Sequence, residues 1–178
     1  RPDRNWRTAN DVSFGHNNDT TMTVNGSDWY YIRSLTFQSA ASNARTLNND
    51  GGNAGLDMRG SGTRKIQNDS SAHHVLNLPV SLVDGTTEFN PTAGDLTFNK
   101  SIYFAGNWLN VYGNIGKTLN LNGVLDRNGG DGGLAVKDAS RVVVTNGNTM
   151  TGAIWIEKGV VALGGSTNAM GNSGTVNV

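Results

Sequence analysis

The segment GNIGKT, residues 113–118, contains the residue types of a phosphate-binding loop. That loop needs four residues between its first Gly and the Gly-Lys-Thr, but only two separate Gly113 from Gly116. Phosphate binding also uses the N-terminus of a following helix, whereas residues 118–123, TLNLNG, alternate like a strand. We therefore interpret the segment as a turn with an exposed Lys117, and we expect no nucleotide cofactor.

The segment DRNGGDGG, residues 126–133, has the composition of a calcium loop. An EF-hand loop places oxygen ligands at positions one, three and five, Gly at six and Glu at twelve. Counting from Asp126, Gly130 occupies the fifth position, Asp131 the sixth and Lys137 the twelfth. The Gly-Gly-x-Gly-x-Asp calcium repeat also fails, because Leu134 stands where Asp is required. We predict a Gly-rich corner without a bound metal.

The remaining candidates for metal binding or acid–base chemistry are few and scattered. His73 and His74 are adjacent, so in a strand they point to opposite faces and cannot bind one metal together. We expect one exposed imidazole and one partly buried one. The chain has only two Glu, Glu88 and Glu157, and no local cluster of carboxylates for glycoside hydrolysis. We predict no catalytic residues, although stacking of distant segments could still bring separate Asp residues together.

Three consecutive aromatic residues form the candidate ligand-binding surface. Trp29, Tyr30 and Tyr31 supply large rings with polar edges, which suit stacking against sugars. The structural alternative is that Trp29, with Trp6, covers the open end of the first turn of the fold. Surface glycans are therefore one of the partners that the sequence predicts.

Composition limits the class of protein and its partners. The 178 residues suffice for one domain, and we place the whole of residues 1–178 in it. A formal net charge of zero gives no basic face for duplex nucleic acid. There is no Cys for disulfides or thiolate metal sites. Apolar runs of three or four residues are too short for a membrane-spanning helix.

Glycine and asparagine dominate the chain. There are 24 of each, which together exceed a quarter of the residues, while Pro numbers only 3 and charged residues only 16%. Disordered chains usually carry more charge and more Pro. Gly and Asn tolerate left-handed backbone and build tight turns. The composition therefore predicts many short strands joined by many turns.

Apolar residues alternate with polar ones at a period of two, and no helical periodicity competes with this pattern. The alternating runs are residues 21–24, 34–37, 55–58, 74–78, 95–98, 101–104, 108–113, 118–123, 133–136, 141–144, 153–156, 159–163 and 174–178. Asn-Gly or Asp-Gly pairs, including those that begin at 25, 50, 84, 122, 128 and 146, would also suit the hairpins of a β-sandwich. A parallel solenoid explains more of the pattern, because its corners need Gly and Asn at high density.

We therefore predict an all-β fold, a right-handed parallel β-helix with Gly- and Asn-rich corners. Three runs per turn give coils of roughly twenty residues, hence about eight coils stacked into a rod of ~40 Å. The inward side chains should include Leu119, Leu121, Leu134, Val136, Ile154, Ile156 and Val176.

The C-terminal part, residues 132–178, resembles the passenger-associated transport repeat, also called the autotransporter-associated β-strand repeat. Its unit has a Gly-Gly-Leu strand, an Asn-Thr-x-x-Gly turn, a Gly-x-Leu strand and an Asn-Ala-Leu-Gly turn. Matching positions are Gly132-Gly133-Leu134, Asn148-Thr149-Met150-Thr151-Gly152, Gly159-Val160-Val161 and Asn168-Ala169-Met170-Gly171. Upstream segments, including SLTF and DLTFNKSIYF, are similar more loosely, and residues 1–38 would form an N-terminal cap and the first coils.

The resemblance implies a right-handed parallel β-helix in a large secreted or surface-displayed bacterial protein, and it implies no catalytic residues. It thus predicts a structural or interaction segment of an extracellular or cell-surface passenger, fibre or adhesin, and not an enzyme. Two alternatives remain open: a carbohydrate-binding surface module, and a β-helix enzyme that degrades glycans.

The last residues form a candidate assembly edge, Thr175, Val176, Asn177 and Val178. A solenoid strand pairs with the coil before it and the coil after it, and an unpaired edge recruits another strand. We expect this edge to meet either an adjacent coil of a longer chain or a second copy stacked end to end.

Overall fold

The chain folds as a stack of short parallel strands. The computed structural model describes residues 10–16, 20–166, 168–171 and 175–178, and the expected contribution of Trp6 to a cap lies outside them. Within these ranges there is no helix, and hence none that could cross a membrane. The strands are β1 (Asn10–Phe14), β2 (Thr21–Val24), β3 (Trp29–Phe37), β4 (Thr46–Asn49), β5 (Gly55–Met58), β6 (Arg64–Asn68), β7 (His74–Asn77), β8 (Val80–Leu82), β9 (Thr87–Pro91), β10 (Leu96–Phe98), β11 (Ile102–Tyr103), β12 (Trp108–Val111), β13 (Thr118–Leu121), β14 (Leu125–Asp126), β15 (Gly133–Val136), β16 (Arg141–Val144), β17 (Ile154–Ile156), β18 (Val160–Leu163) and β19 (Val176–Asn177).

These strands build a parallel β-solenoid of about seven turns with three faces. The first face contains residues 29–32 of β3, then β5, β8, β11 and β14. The second contains β1, residues 34–37 of β3, β6, β9, β12, β15, β17 and β19. The third contains β2, β4, β7, β10, β13, β16 and β18. Because every described pairing is parallel, the Asn-Gly and Asp-Gly pairs do not close hairpins, and the sandwich alternative is wrong.

The coils differ in length because their corners differ. Stacked partners stand as few as 19 residues apart, at Val142 and Val161, and as many as 31 apart, at Leu35 and Ile66. Apart from β3, which spans two faces, the strands are only two to five residues long, so most of the variation lies in the corners. About seven turns at ~4.8 Å each give a rod of about 35 Å, one coil shorter than the composition suggested.

Alternate side chains of each strand point into the tube and stack in columns. One column on the third face runs through Leu47, Leu76, Phe98, Leu121, Val144 and Leu163. All of these are buried except Leu163, which belongs to the last strand of that face. Phe89 and Phe98 stack with ring centroids 4.3 Å apart and fill the centre of the tube between the second and third faces. The stacked columns form one continuous hydrophobic core.

The predicted inward residues occupy these columns, and their burial falls towards the C-terminal end. Five are buried: Leu119, Leu121, Leu134, Val136 and Ile154. Ile156 is half-buried against the core. Val176 is in register with Ile154 but is 45% exposed, because no described strand pairs on its far side.

Some strands were not predicted from the alternation of apolar and polar residues. The second-face strands β6 and β9 were not recognised as alternating runs, although Ile66 and Phe89 are fully buried. Each presents a single large aliphatic or aromatic side chain to the core among polar residues and, in β9, Pro91. A period of two is recognisable only where at least two apolar positions alternate, and these strands have one.

Candidate functional site

The two loop-like segments are corners of the solenoid. In residues 113–118 the backbone N–H of Lys117 donates to the Asn114 carbonyl at 3.0 Å, which closes a tight turn. Ile115 projects from it and is 83% exposed. Strand β13 follows directly, so no helix N-terminus faces this turn. The turn connects the second face to the third.

Residues 126–133 form a corner held by short-range hydrogen bonds and close backbone packing. The Asp126 carboxylate accepts the N–H of Asn128 at 2.9 Å, which fixes Asn128 at a φ of 44°. Asp131 accepts the hydroxyl of Thr151 at 2.5 Å. A side chain at Gly130 would meet the backbone nitrogen of Gly106 at 2.4 Å, so the corner lies directly on the coil beneath. Across the described residues, no three His, Asp or Glu side chains gather to hold a metal ion.

The adjacent histidines point to opposite sides, as predicted. His73 is exposed, and its Nε2 lies 2.7 Å from the hydroxyl of Thr97. His74 is more deeply buried than expected, because it occupies an inward column in register with Leu96. The structure therefore does not bring the two imidazoles to one site.

The two glutamates have different neighbours. Glu157 forms an ion pair with Lys137 on the outside of the second face. Glu88 stands in register with Lys65 and accepts the Asn90 amide at 3.2 Å. Glu157 therefore faces a lysine, and Glu88 faces a lysine position and an amide.

The three aromatic residues of β3 alternate across the wall of the tube, as a strand requires. Tyr30 points inward, its hydroxyl donating to the Asn25 carbonyl at 2.8 Å, and it lines an apolar cavity of about 430 Å³ at the N-terminal end of the core. Trp29 and Tyr31 point outward on the first face. The structure therefore separates Tyr30 from the other two candidate sugar-stacking residues.

Trp29 does not close the end of the tube. Its indole lies flat along the first face, across Gly55 of the next coil, and reaches Tyr103 three coils along the stack. The centroids of the Trp29 and Tyr103 rings are 6.0 Å apart at an interplanar angle of 62°. The two rings therefore form an edge-to-face corner on the outer surface.

A shallow pocket of about 290 Å³ opens beside this aromatic corner. It is lined by Trp29, Asp57, Ser81, Tyr103 and Asn128, and we call these five residues the first-face pocket. Each comes from a different coil, so five successive turns contribute one residue each. The pocket combines two aromatic rings with a carboxylate, a hydroxyl and a carboxamide.

The pocket exists because one outward column changes residue size. Parallel register aligns Tyr31, Asp57, Ser81, Tyr103 and Asp126 in a single row. Strands are ~4.8 Å apart, so the two Tyr in this row stand about 14 Å from each other. The smaller Asp57 and Ser81 between them leave a depression with aromatic residues at both ends.

Asp57 forms the charged floor of the pocket and is almost fully buried. Burial raises the pKa of its carboxyl, and the guanidinium of Arg59 opposes that rise. Arg59 donates from Nε to Oδ2 at 3.2 Å, and its Nη2 lies 3.1 Å from the same oxygen. The guanidinium also covers the Tyr31 ring, with 4.3 Å from its central carbon to the ring centroid. Arg59 thus anchors the carboxylate and occupies the face of Tyr31.

The position of Trp29 depends on the glycine beneath it. A Cβ at Gly55 would lie 2.7 Å from Cζ3 of Trp29 and 2.9 Å from the Pro79 carbonyl oxygen, so only Gly fits. Trp108 lies across Gly133 in the same way on the second face, where a Cβ would meet its Cη2 at 2.6 Å. The two Trp–Gly pairs are alike in geometry, but only the first borders the pocket.

A ladder of asparagine side chains runs along the third face. The amide of Asn77 donates to Asn48 at 2.7 Å, Asn99 to Asn77 at 2.8 Å, and Asn122 to Asn99 at 2.9 Å. The hydroxyl of Thr145 extends the ladder to Asn122 at 3.2 Å. The sequence carries a signal for it, because each of these Asn follows a buried Leu or Phe of successive coils.

The turns of the repeat-like unit, residues 132–178, have defined structural roles. Asn148 is buried at a corner, where its Oδ1 accepts the N–H of Leu125 at 2.6 Å and its amide donates to the Ala169 carbonyl. Asn168 returns a bond from its amide to the Asn148 carbonyl at 3.2 Å. The two Asn-containing turns therefore stack on each other in adjacent coils.

The candidate assembly edge lies at the open end of the stack. Among the described strands, β19 pairs with β17 alone, with Val176 opposite Ile154 and Asn177 opposite Trp155. Thr175 and Val178 flank it and are exposed. The candidate assembly edge therefore continues the second face of the solenoid.

Comparison of this chain with protein-family models, with curated proteins and with solved structures finds no match.

Proposed function

We propose that this chain is a structural and interaction segment of a bacterial extracellular or cell-surface passenger, fibre or adhesin. The observation that carries the proposal is the uninterrupted stack of about seven parallel turns, whose inward columns run from one end to the other. Such a stack extends a chain along one axis and presents outward side chains at a fixed spacing. The solenoid would then act as a spacer between neighbouring parts of the protein, and its outward side chains would be available to partners.

The asparagine ladder and the stacked Asn turns support this role. Side-chain amides that bond from coil to coil resist sliding of one coil over the next, as amide ladders do in stacked sheets. The resemblance of residues 132–178 to the passenger-associated transport repeat points to the same setting, because Asn148 and Asn168 of the resembling turns join neighbouring coils.

Antibody labelling of intact cells tests whether the protein is extracellular. An antibody raised against the 178-residue chain should label intact cells of the organism that encodes it, and external protease should remove the label. A cytoplasmic enzyme marker must stay protected in the same cells. Labelling only after permeabilisation would contradict an extracellular role.

A biochemical assay tests the absence of catalysis. The purified chain should not depolymerise neutral or acidic polysaccharides, and a chelator should leave its melting temperature unchanged. Release of reducing ends at a rate proportional to the concentration of the chain would replace the proposal with the glycan-degrading alternative. A calcium-dependent rise of several degrees would reassign residues 126–133 as a metal site.

A further inference from the structure

We propose that the first-face pocket binds one neutral pyranose unit of a glycan. The inference does not depend on where the protein resides, because it rests on the chemistry of five side chains. The pocket pairs an apolar wall with a polar floor, and this arrangement matches a sugar ring, which has C–H groups on its faces and hydroxyls around its edge.

The apolar wall is the aromatic corner of Trp29 and Tyr103. The face of an aromatic ring carries partial negative charge, so it attracts the weakly positive C–H groups of a sugar face. Trp29 is only partly buried, and Gly55 beneath it leaves the indole lying flat instead of upright. A flat indole offers a stacking surface at no further cost in side-chain ordering.

The polar floor is formed by Asp57 and Ser81, with Asn128 at the rim. An anchored carboxylate accepts hydrogen bonds from sugar hydroxyls, and these are stronger than bonds between neutral groups. Arg59 fixes the carboxylate in place, so it need not be ordered on binding. The corner bond from Asn128 to Asp126 fixes the backbone that carries the rim carboxamide.

The size and charge of the pocket select the ligand class. About 290 Å³ is at the lower limit of small-molecule pockets, and it suits one ring instead of an extended chain buried along its length. Asp84 lies near enough to raise the pKa of Asp57 further, so two carboxylates stand against the single guanidinium of Arg59 beside the pocket. An acidic sugar would add another negative charge, and we therefore expect neutral hexoses to bind better than uronic acids.

The test measures binding of free monosaccharides to the full 178-residue chain. Glucose, galactose, mannose and N-acetylglucosamine are titrated while the indole N–H signals of the four Trp are followed by NMR. We expect one of these sugars to shift one indole signal, which Trp29→Ala removes from the spectrum, with a Kd on the order of 1 mM. Glucuronic and galacturonic acid should bind at least several-fold more weakly. No shift of the Trp29 signal at 100 mM of any neutral sugar would overturn the proposal.

Substitutions then assign the binding to the pocket. Tyr103→Ala and Asp57→Asn should each weaken binding about tenfold or more. Trp108→Ala is the matched control, because Trp108 lies over Gly133 as Trp29 lies over Gly55 but stands on another face. Equal loss of binding in the Trp29→Ala and Trp108→Ala variants would place the sugar elsewhere.

A second pair of variants keeps every aromatic ring and changes the glycine beneath it. Gly55→Ala should displace the indole of Trp29 and weaken binding, whereas Gly133→Ala should displace that of Trp108 and leave binding unchanged. Melting temperatures identify any variant that fails to fold. If both variants fold and bind like the parent chain, the flat orientation of Trp29 does not contribute to a site.

Discussion

His74 is a histidine held neutral inside a hydrophobic tube. Its Nδ1 accepts the backbone N–H of Arg45 at 3.0 Å, which requires that nitrogen to be unprotonated, and its Nε2 lies 2.9 Å from the hydroxyl of Ser70. The ring stacks on Phe37 with centroids 4.0 Å apart. Both ring nitrogens are therefore satisfied in the neutral form, and a proton on Nδ1 would break a buried hydrogen bond.

This burial predicts a loss of stability in mild acid. Burial first, and then the positive charge of Arg45, lowers the pKa of His74 from 6.5 to about 4. The unfolded chain binds this proton more readily, so the free energy of unfolding is intact above pH 6.5 and falls as the pH drops towards 4. A difference of about 2.5 pKa units corresponds to about 3 kcal/mol. Urea unfolding at several pH values between 7.5 and 4.5 measures it.

Two variants separate this effect from the titration of carboxylates. His74→Gln should lower stability at neutral pH but remove much of the decline between pH 6.5 and 4.5. His73→Gln should keep the parent slope, because His73 is exposed. The idea fails if the two variants show the same pH dependence.

At the scale of the strands, each inward side chain fills one layer of a column. Ile154 lies between Leu134 below and Val176 above and is nearly fully buried, whereas Ile156 is only half-buried. Ile154→Ala should therefore lower the free energy of unfolding by about 2–5 kcal/mol. Ile156→Ala should cost less, because part of its surface already meets water.

A surface substitution supplies the reference for this comparison. Lys117→Ala, at a corner, should change stability by no more than about 0.5 kcal/mol. Denaturant midpoints at constant slope report all three values. Equal shifts for Ile154→Ala and Lys117→Ala would mean that the column assignment is wrong.

The asparagine ladder makes a separate prediction for the third face. Asn99 both donates to Asn77 and accepts from Asn122, so Asn99→Ala removes two bonds and should cost about 1–2 kcal/mol. Asn114→Ala is the control, since that corner residue loses only one side-chain bond, to the Thr92 carbonyl. Thermal unfolding of the two variants compares them, and a larger loss for Asn114→Ala would show that the ladder adds little.

At the scale of the whole molecule, core side chains are left partly uncovered at the C-terminal end of the described stack. Leu163 and Val176 occupy inward columns yet are 49% and 45% exposed, and the strands that carry them end their faces among the described residues. Unpaired backbone and uncovered core at one edge favour pairing with another strand. The formal net charge of zero provides little repulsion between copies.

We therefore expect the isolated 178-residue chain to associate as its concentration rises. Head-to-tail stacking is heterologous, so it should give open-ended oligomers instead of a closed dimer. Sedimentation velocity across a hundredfold concentration range measures the size distribution. A strictly monomeric species at the highest concentration would exclude end-to-end stacking.

Charge substitutions locate the contact. Leu163→Lys and Val176→Lys place a cation at the open end and should suppress association. Ile115→Lys adds the same charge at an exposed apolar corner and should leave association unchanged. Suppression by all three variants would indicate a general charge effect and not contact through this end.

The sequence alone determined the local and repetitive features of this protein. Alternation of apolar and polar residues at a period of two predicted short strands. The density of Gly and Asn predicted corners, because these residues tolerate the turns that a solenoid requires. His73 and His74 were correctly assigned to opposite sides, because successive residues of a strand point to opposite faces. Strands such as β6 and β9 were missed because a single buried residue among polar neighbours carries no detectable period.

Only the tertiary structure decided which outward residues meet. Trp29, Asp57, Ser81, Tyr103 and Asn128 come from five coils, and partners in this fold stand anywhere from 19 to 31 residues apart. Corner lengths vary from coil to coil, so sequence spacing does not reveal the alignment. The register is set by packing of the inward columns, and each outward neighbour is a consequence of that packing. The pocket therefore could not be predicted from the order of residues, although two of the strands that form it, β5 and β11, were predicted from their alternation.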